Sequence, residues 1–358
     1  MGLGIPVVWD ERHWLHRPDG EIWAGVRVPS ADTPDRITNL RHALEAAGAG
    51  LQGPSEHGDA PLERVHDPEY LRFLAEAYDE WVAAGLVEDP GQNRVVPYVF
   101  ALPQVTSGRP APVPAAGWAR AGRYAFDTMT LIGPGTHAAA RAAVDVALSA
   151  ADLVLDGHRA AYAACRPPGH HAGEALYGGG CFLNNAAIAA QWMRDHQART
   201  VAVVDLDGRH GNGTQEIFYE RPDVYVASVH ADPGQGCFPH FTGFYHERGA
   251  GPGEGFNRNI ALPPGAGDPQ WVDAVTAIVR EVRSFGPDTL VVSLGVDTAV
   301  EDPENPLAVT GAAFTEAARL LESLDVPTLF VQEGGFDPLA LGRHTVGLLM
   351  AFEDATAR

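Results

Sequence analysis

Short apolar runs alternate with longer stretches of helical periodicity along most of this chain. Near-continuous apolar runs over 7–9, 160–165, 200–205, 224–229, 289–294 and 328–332 read as strands buried on both faces. Apolar positions recur at three- and four-residue spacing over 68–84, 136–155, 182–196, 269–285, 311–323 and 344–352, which predicts amphipathic helices. Strand and helix in turn imply an α/β fold, a mostly parallel central sheet flanked by helices, in a single domain spanning 1–358. The segments 86–133 and 231–266 carry Pro, Gly and aromatics with little periodicity and are expected to be long loops. Loops of that length usually serve a site or an oligomer contact.

Composition narrows the function classes. Hydrophobic residues make up 45% and charged residues 20% of the 358, as in a globular, enzyme-sized chain. No apolar run approaches the ~18 residues that span a bilayer, and the start of the chain lacks a basic, long-apolar leader. A cytoplasmic protein without a membrane partner is expected. A net charge of −21 argues against nucleic acid, whose phosphates need clustered cations. That charge suits a cationic ligand, or simple solubility. All 25 basic residues are arginine. The absence of lysine excludes Schiff-base chemistry, pyridoxal phosphate attachment and a phosphate-loop lysine. Cys165, Cys181 and Cys237 are too widely spaced for a CxxC metal site.

Candidate chemistry falls just past the strand ends. Arg166-Pro167-Pro168-Gly169-His170-His171 follows one strand, and Asp205-Leu206-Asp207-Gly208-Arg209 ends another. Ser293-Leu294-Gly295-Val296-Asp297 ends a third, and Glu333-Gly334-Gly335-Phe336 follows a fourth. A lone His pair or a lone Asp is more often structural. Four polar groups at one edge of one sheet point instead to an active site, because α/β folds bind ligands at the carboxyl ends of their strands.

These motifs, with Val65-His66-Asp67-Pro68-Glu69-Tyr70-Leu71, Cys181-Phe182-Leu183-Asn184-Asn185 and His210-Gly211-Asn212-Gly213-Thr214-Gln215, carry a family likeness. The chain resembles the histone deacetylase superfamily, most closely its acetylpolyamine amidohydrolase-like, class II-type bacterial branch. The resemblance runs from Val65 to Phe352. It implies an arginase/deacetylase fold with a tunnel leading to zinc, held by Asp-x-His after one strand and an Asp after a later one. Asp207 and Asp297 match two ligands, and Arg209 stands at the histidine. Phe336 stands where the family has a tyrosine that donates to the oxyanion, and Gly180 where an aromatic lines the tunnel. The proton-transfer residues are retained: His170 and His171, Asp205 to orient the first, and Asn212 to support the second. The family also implies a potassium site at backbone carbonyls of Asp205, Asp207 and Arg209 with Ser228 and Val229; backbone ligands survive the arginine. The segment 86–133 lies where relatives build dimer contacts, so a homodimer is expected.

A guanidinium has no lone pair and stays protonated, so Arg209 both removes a zinc ligand and adds a repelling charge. The expectation is a zinc-free site without cofactor, in which Arg209 pairs with Asp207 and Asp297. Catalytic roles then fall to His170, His171, Asp205 and Arg209, acting on a small molecule by elimination or cyclisation. Two readings stay open beside it: a weakened zinc deacetylase using Asp207, Asp297 and water, and a non-catalytic binder.

Overall fold

The computed structural model describes residues 2–196 and 198–356. Among the described residues ten strands occur in chain order: β1 (Val7–Val8), β2 (Glu21–Trp23), β3 (Val26–Val28), β4 (Leu51–Gln52), β5 (Ala160–Ala163), β6 (Val201–Asp205), β7 (Val224–Ala231), β8 (Asn257–Leu262), β9 (Thr289–Leu294) and β10 (Thr328–Gln332). Eight form one parallel sheet in the order β4-β1-β5-β10-β9-β6-β7-β8, and β2 with β3 makes a separate hairpin. The expected α/β architecture is what the chain adopts.

Alternate residues of each strand point to opposite faces, so the sheet feeds two cores. Val203, Val226, Val291 and Leu329 face the helices Pro68–Ala83, Thr136–Leu155 and Asn185–His196. Val204, Ala227, Val292 and Phe330 face Asp35–Ala46, Asp268–Phe285, Gly311–Glu322 and Pro338–Thr356. The innermost helix, Thr136–Leu155, meets the first core with Ala140, Ala143, Ala147 and Ala150, small side chains that allow close approach to the sheet. Asp67 starts the helix Pro68–Ala83 by accepting from the amides of Glu69 and Tyr70, with Pro68 in the first turn. Among the described residues no helix is long and apolar enough to cross a membrane.

Several elements depart from the periodicity reading. The segment 231–266 is not all loop, since β8 pairs with β7 at the sheet edge. Asn257 and Asn259 disguise it: both amides turn inward and donate to Gln215 Oε1, so buried positions of the strand read as polar. Helix Asp35–Ala46 was hidden similarly, because Arg36 shares its buried face with Ile37, Leu40 and Leu44. The last helix begins at Pro338 rather than at 344; the Asp337 carboxylate accepts from the amides of Leu339 and Ala340 and so caps it. Helix Asn185–His196 starts three residues later than its apolar lead-in suggests. Segment 86–133 stays largely irregular, with isolated bridges from Val95 to Ile132 and from Ala125 to Tyr177 and short helical turns at Gly117–Arg120 and Ala121–Tyr124.

Candidate active site

Strands β5, β10, β9 and β6 are consecutive neighbours at the centre of the sheet, and each leads into one of the four motifs. β9 and β10 come late in the chain but insert between β5 and β6. Topology therefore brings the turns after residues 163, 332, 294 and 205 side by side at one edge. All four expected groups converge there.

His170 and His171 lie side by side, ring centroids 4.0 Å apart, and both are buried. His170 Nδ1 meets Asp205 Oδ2 at 3.0 Å, and its Nε2 faces Asp207 Oδ1 at 3.8 Å. His171 Nδ1 meets Asn212 Oδ1 at 2.8 Å. An amide oxygen only accepts, so Nδ1 of His171 carries the proton and Nε2 keeps its lone pair. Burial opposes charge on His170, but Asp207 and Asp205 together outweigh it and raise its pKa to about 10. Burial, and the charge of His170 beside it, push His171 well below the usual histidine range. These opposite shifts favour the proton on His170 and a neutral ring at His171.

Asp207 and Asp297, the two aspartates that the resemblance sets at a metal, are tightly engaged. Asp207 Oδ1 accepts from the Arg209 amide at 3.0 Å and Oδ2 from the Gly334 amide at 2.8 Å. Asp297 Oδ1 accepts from the Gly208 amide at 2.8 Å, and Oδ2 accepts from Arg209 Nη1 at 2.8 Å. The expected guanidinium fork across Asp207 and Asp297 is corrected in one arm. Arg209 Nη2 turns instead to Glu304, donating to its Oε2 at 2.9 Å and its carbonyl at 3.0 Å. The reason lies in the fold: two backbone amides already occupy Asp207, and the turn after Asp302 brings a second carboxylate to the outer side. Burial opposes the charge on Arg209, but Asp297, Asp207 and Glu304 outweigh it and raise its pKa. The Phe336 ring lies beneath, its centroid 5.9 Å from the Arg209 guanidinium carbon and 4.6 Å from that of Arg36. Such cation–π contacts contribute about 0.5–2 kcal/mol.

Sequence reasoning missed the supporting residues. Arg36 and Arg166 are almost fully buried, and both donate to Asp32 Oδ1, at 2.6 and 2.9 Å. Arg36 also grips the carbonyls of Glu333 and Gly335, fixing the turn that carries Phe336. Glu333 Oε2 accepts from the amides of Gly169 and His170, so it anchors the backbone of the histidine pair. Asp32, Arg36, Asp302 and Glu304 lie in no motif, and only folding brings them here. For the potassium positions, the register sets Asp205 beside Ser228, whose hydroxyl lies 2.7 Å from His230 Nδ1.

A cavity of about 520 Å³ opens above these groups, within the range of small-molecule sites. Trp23, Met129, Gly180, Phe238, Glu304 and Phe336 line its wall over the histidines. At Gly180 an added Cβ would meet no atom within 4 Å, so the cavity wall is open at this position. Its φ of +76° is a region that side chains disfavour. Gly180→Ala is therefore expected to cost about 1–2 kcal/mol in urea unfolding despite the room. An unchanged midpoint would mean that this turn relaxes freely.

A parallel α/β sheet whose central strand ends carry a paired His-His, two buried aspartates and a Gly-Gly turn defines the class. The chain belongs to the histone deacetylase family, whose domain model matches residues 30–351. It is 40% identical over 349 residues to acetylpolyamine amidohydrolase 1 of Pseudomonas aeruginosa, covering 97% of this chain and 99% of that one. It is 38% identical to the acetylpolyamine amidohydrolase of Mycoplana ramosa, covering 96% and 98%. The crystal structure of an acetylpolyamine aminohydrolase from Burkholderia pseudomallei superposes with a TM-score of 0.92 at 37% identity, covering 98% of this chain and 99% of that one.

Proposed function

We propose that this member of the histone deacetylase family turns over a small molecule by proton transfer at His170 and His171, without resident zinc. The observation that carries this reading is the Arg209 guanidinium on Asp297. The donor set does not fit a catalytic zinc, which takes three protein ligands. Here Asp207 and Asp297 are the two donors kept from the expected ligand set, all four of their oxygens accept hydrogen bonds, and a permanent cation stands at the place of the imidazole.

His171 Nε2, held open by the Asn212 contact, takes a proton from a carbon or heteroatom of the substrate. His170, oriented by Asp205, gives its proton to a departing or newly formed oxygen. Loss of the C–H proton to one ring and of water from the other side amounts to an elimination. The same pair serves a cyclisation in which the nucleophile is deprotonated and the acceptor oxygen is protonated. Both rings return to their starting states by exchange with solvent. Amide hydrolysis suits the site less well, since a neutral amide needs a strong electrophile or an activated water. Phe336 brings no hydroxyl to an oxyanion. The open wall at Gly180 suits a broader substrate than a linear acetylated amine. The exposed Tyr98, Leu102 and Val105 of segment 86–133 support a homodimer, and the paired ends of β6 and β7 support a structural potassium ion at Asp205, Asp207, Arg209, Ser228 and Val229.

A second reading, zinc-dependent amide hydrolysis, is favoured by the names of the full-length relatives, which are amidohydrolases. One experiment separates the two. The purified chain is dialysed against excess zinc, analysed for metal, and assayed on N-acetylated diamines and on a library of hydroxylated or cyclisable small molecules. The expected outcome is substoichiometric zinc, no deacetylation, and a chelator-insensitive turnover that falls ~10²–10⁴-fold in His171→Ala. Stoichiometric zinc with chelator-sensitive deacetylation would sink the proposal. A chain that binds library members but converts none would be a non-catalytic binder.

A further inference from the structure

We infer that Glu304 and Phe336 form a clamp that holds Arg209 over the former metal position, and that Asp302 is the positioning residue joining its two halves. The inference rests on the metal-free reading above. It goes further by assigning new roles to three residues.

A long side chain at the rim of a cavity has many rotamers, and pairing with Asp297 alone would leave the outer guanidinium edge free to swing to solvent. Here that edge is caught twice, by the carboxylate and the carbonyl of Glu304. The ring of Phe336 supplies a third contact, and Arg36 holds the same ring. Glu304 and Phe336 are 32 residues apart in sequence, yet one buried carboxylate ties them together. Asp302 Oδ1 accepts from the Glu304 amide at 2.9 Å. Its Oδ2 accepts from the amides of Phe336 at 2.6 Å and Asp337 at 3.1 Å. Both contacts on Arg209 are therefore placed by a single group that never touches the cavity chemistry itself.

On this view Phe336 acts as a platform through its ring, and the missing hydroxyl is irrelevant to that role. Tyrosine should replace it without freeing the arginine, whereas leucine should not. Opening the clamp should let Arg209 leave, which exposes Asp207 and Asp297 to a cation.

The test uses the full chain and zinc alone, with affinity read by calorimetry and folding by melting temperature with and without the metal. Wild type is expected to bind zinc with a Kd weaker than about 0.1 mM. Glu304→Gln combined with Phe336→Leu should tighten binding ~10-fold or more and approach Arg209→Ala, with a zinc-dependent rise in melting temperature. Phe336→Tyr should leave affinity at the wild-type level. Asp302→Asn should shift it in the same direction as the combined variant, by about threefold. A purely structural role predicts lower melting temperatures without any gain in zinc affinity, and that pattern overturns the clamp. So does tightening by Arg209→Ala alone, although the metal-free reading would then survive. Tight zinc in the wild type would overturn both. Should the leucine variant fail to fold, Glu304→Gln against Phe336→Tyr still decides, because only the first should tighten zinc.

Discussion

Arg209→His combined with Phe336→Tyr is expected to convert this site into a zinc site, raising zinc affinity ~10²-fold or more. The histidine supplies the neutral nitrogen donor that Asp207 and Asp297 lack. It also removes the guanidinium that now occupies Asp297 Oδ2 at 2.8 Å. Two carboxylates balance a divalent ion, whereas adding a fixed cation leaves an excess of positive charge. Glu304 loses its partner, but it is half exposed and water can solvate it. The tyrosine restores a hydroxyl donor, whose absence in oxyanion holes elsewhere costs roughly 10²–10³ in rate. The double variant should therefore carry stoichiometric zinc and show trace deacetylation of N-acetylated diamines, while the native turnover collapses. Elemental analysis after dialysis and a deacetylation assay check both parts. Equal zinc content in wild type and variant would refute the idea that Arg209 excludes the metal.

Asp32→Asn is expected to be the most damaging single change to stability, costing about 3–5 kcal/mol at pH 7. Asparagine keeps the shape but leaves the Arg36 and Arg166 guanidinium groups, both almost wholly buried, without their shared counter-charge. Burial opposes ionisation of Asp32, but Arg166 and Arg36 outweigh it and hold the carboxyl far below its usual range. A depressed folded-state pKa gives stability that is present above the unfolded value near 4 and is lost as the pH falls below it. The gap between wild type and variant should thus narrow progressively below about pH 4. Because Arg36 grips the carbonyls of Glu333 and Gly335, the loosening should also reach Phe336 and lower turnover. Urea unfolding at pH 7 and at pH 3–4 measures the effect. A cost within 1 kcal/mol at neutral pH would show that the two arginines find other partners.

Legibility in the sequence followed a physical divide. Elements whose buried side chains are apolar could be read from periodicity, and the helix Thr136–Leu155 was read to the residue. Elements in which polar side chains interrupt a short apolar pattern could not. Asn257 and Asn259 made β8 look like loop, and Arg36 masked the inner face of the helix Asp35–Ala46. One missed signal was available: Asp337-Pro338 repeats the cap-and-proline start of Asp67-Pro68. The site divides in the same way. His170, His171, Asp205, Asp207, Asn212 and Asp297 sit in short motifs past strand ends, where chain direction alone aims them at one edge. Glu304, Asp302, Asp32 and Arg36 lie in turns or on a helix of mixed polarity, and nothing local marks them.

What the chain determined by itself was the alternation of strand and helix, the residue types at the candidate edge, and an arginine and a phenylalanine where the resemblance expects an imidazole and a phenol. Those are local properties, fixed by side-chain chemistry and by the two periodicities of the backbone. Tertiary structure alone decided which strands became neighbours, setting β9 and β10 between β5 and β6. It also decided where the second arm of Arg209 went. The outer edge of the guanidinium pairs with the carboxylate that the fold sets beside it, and that depends on turns separated by 95 residues that only a folded sheet brings together.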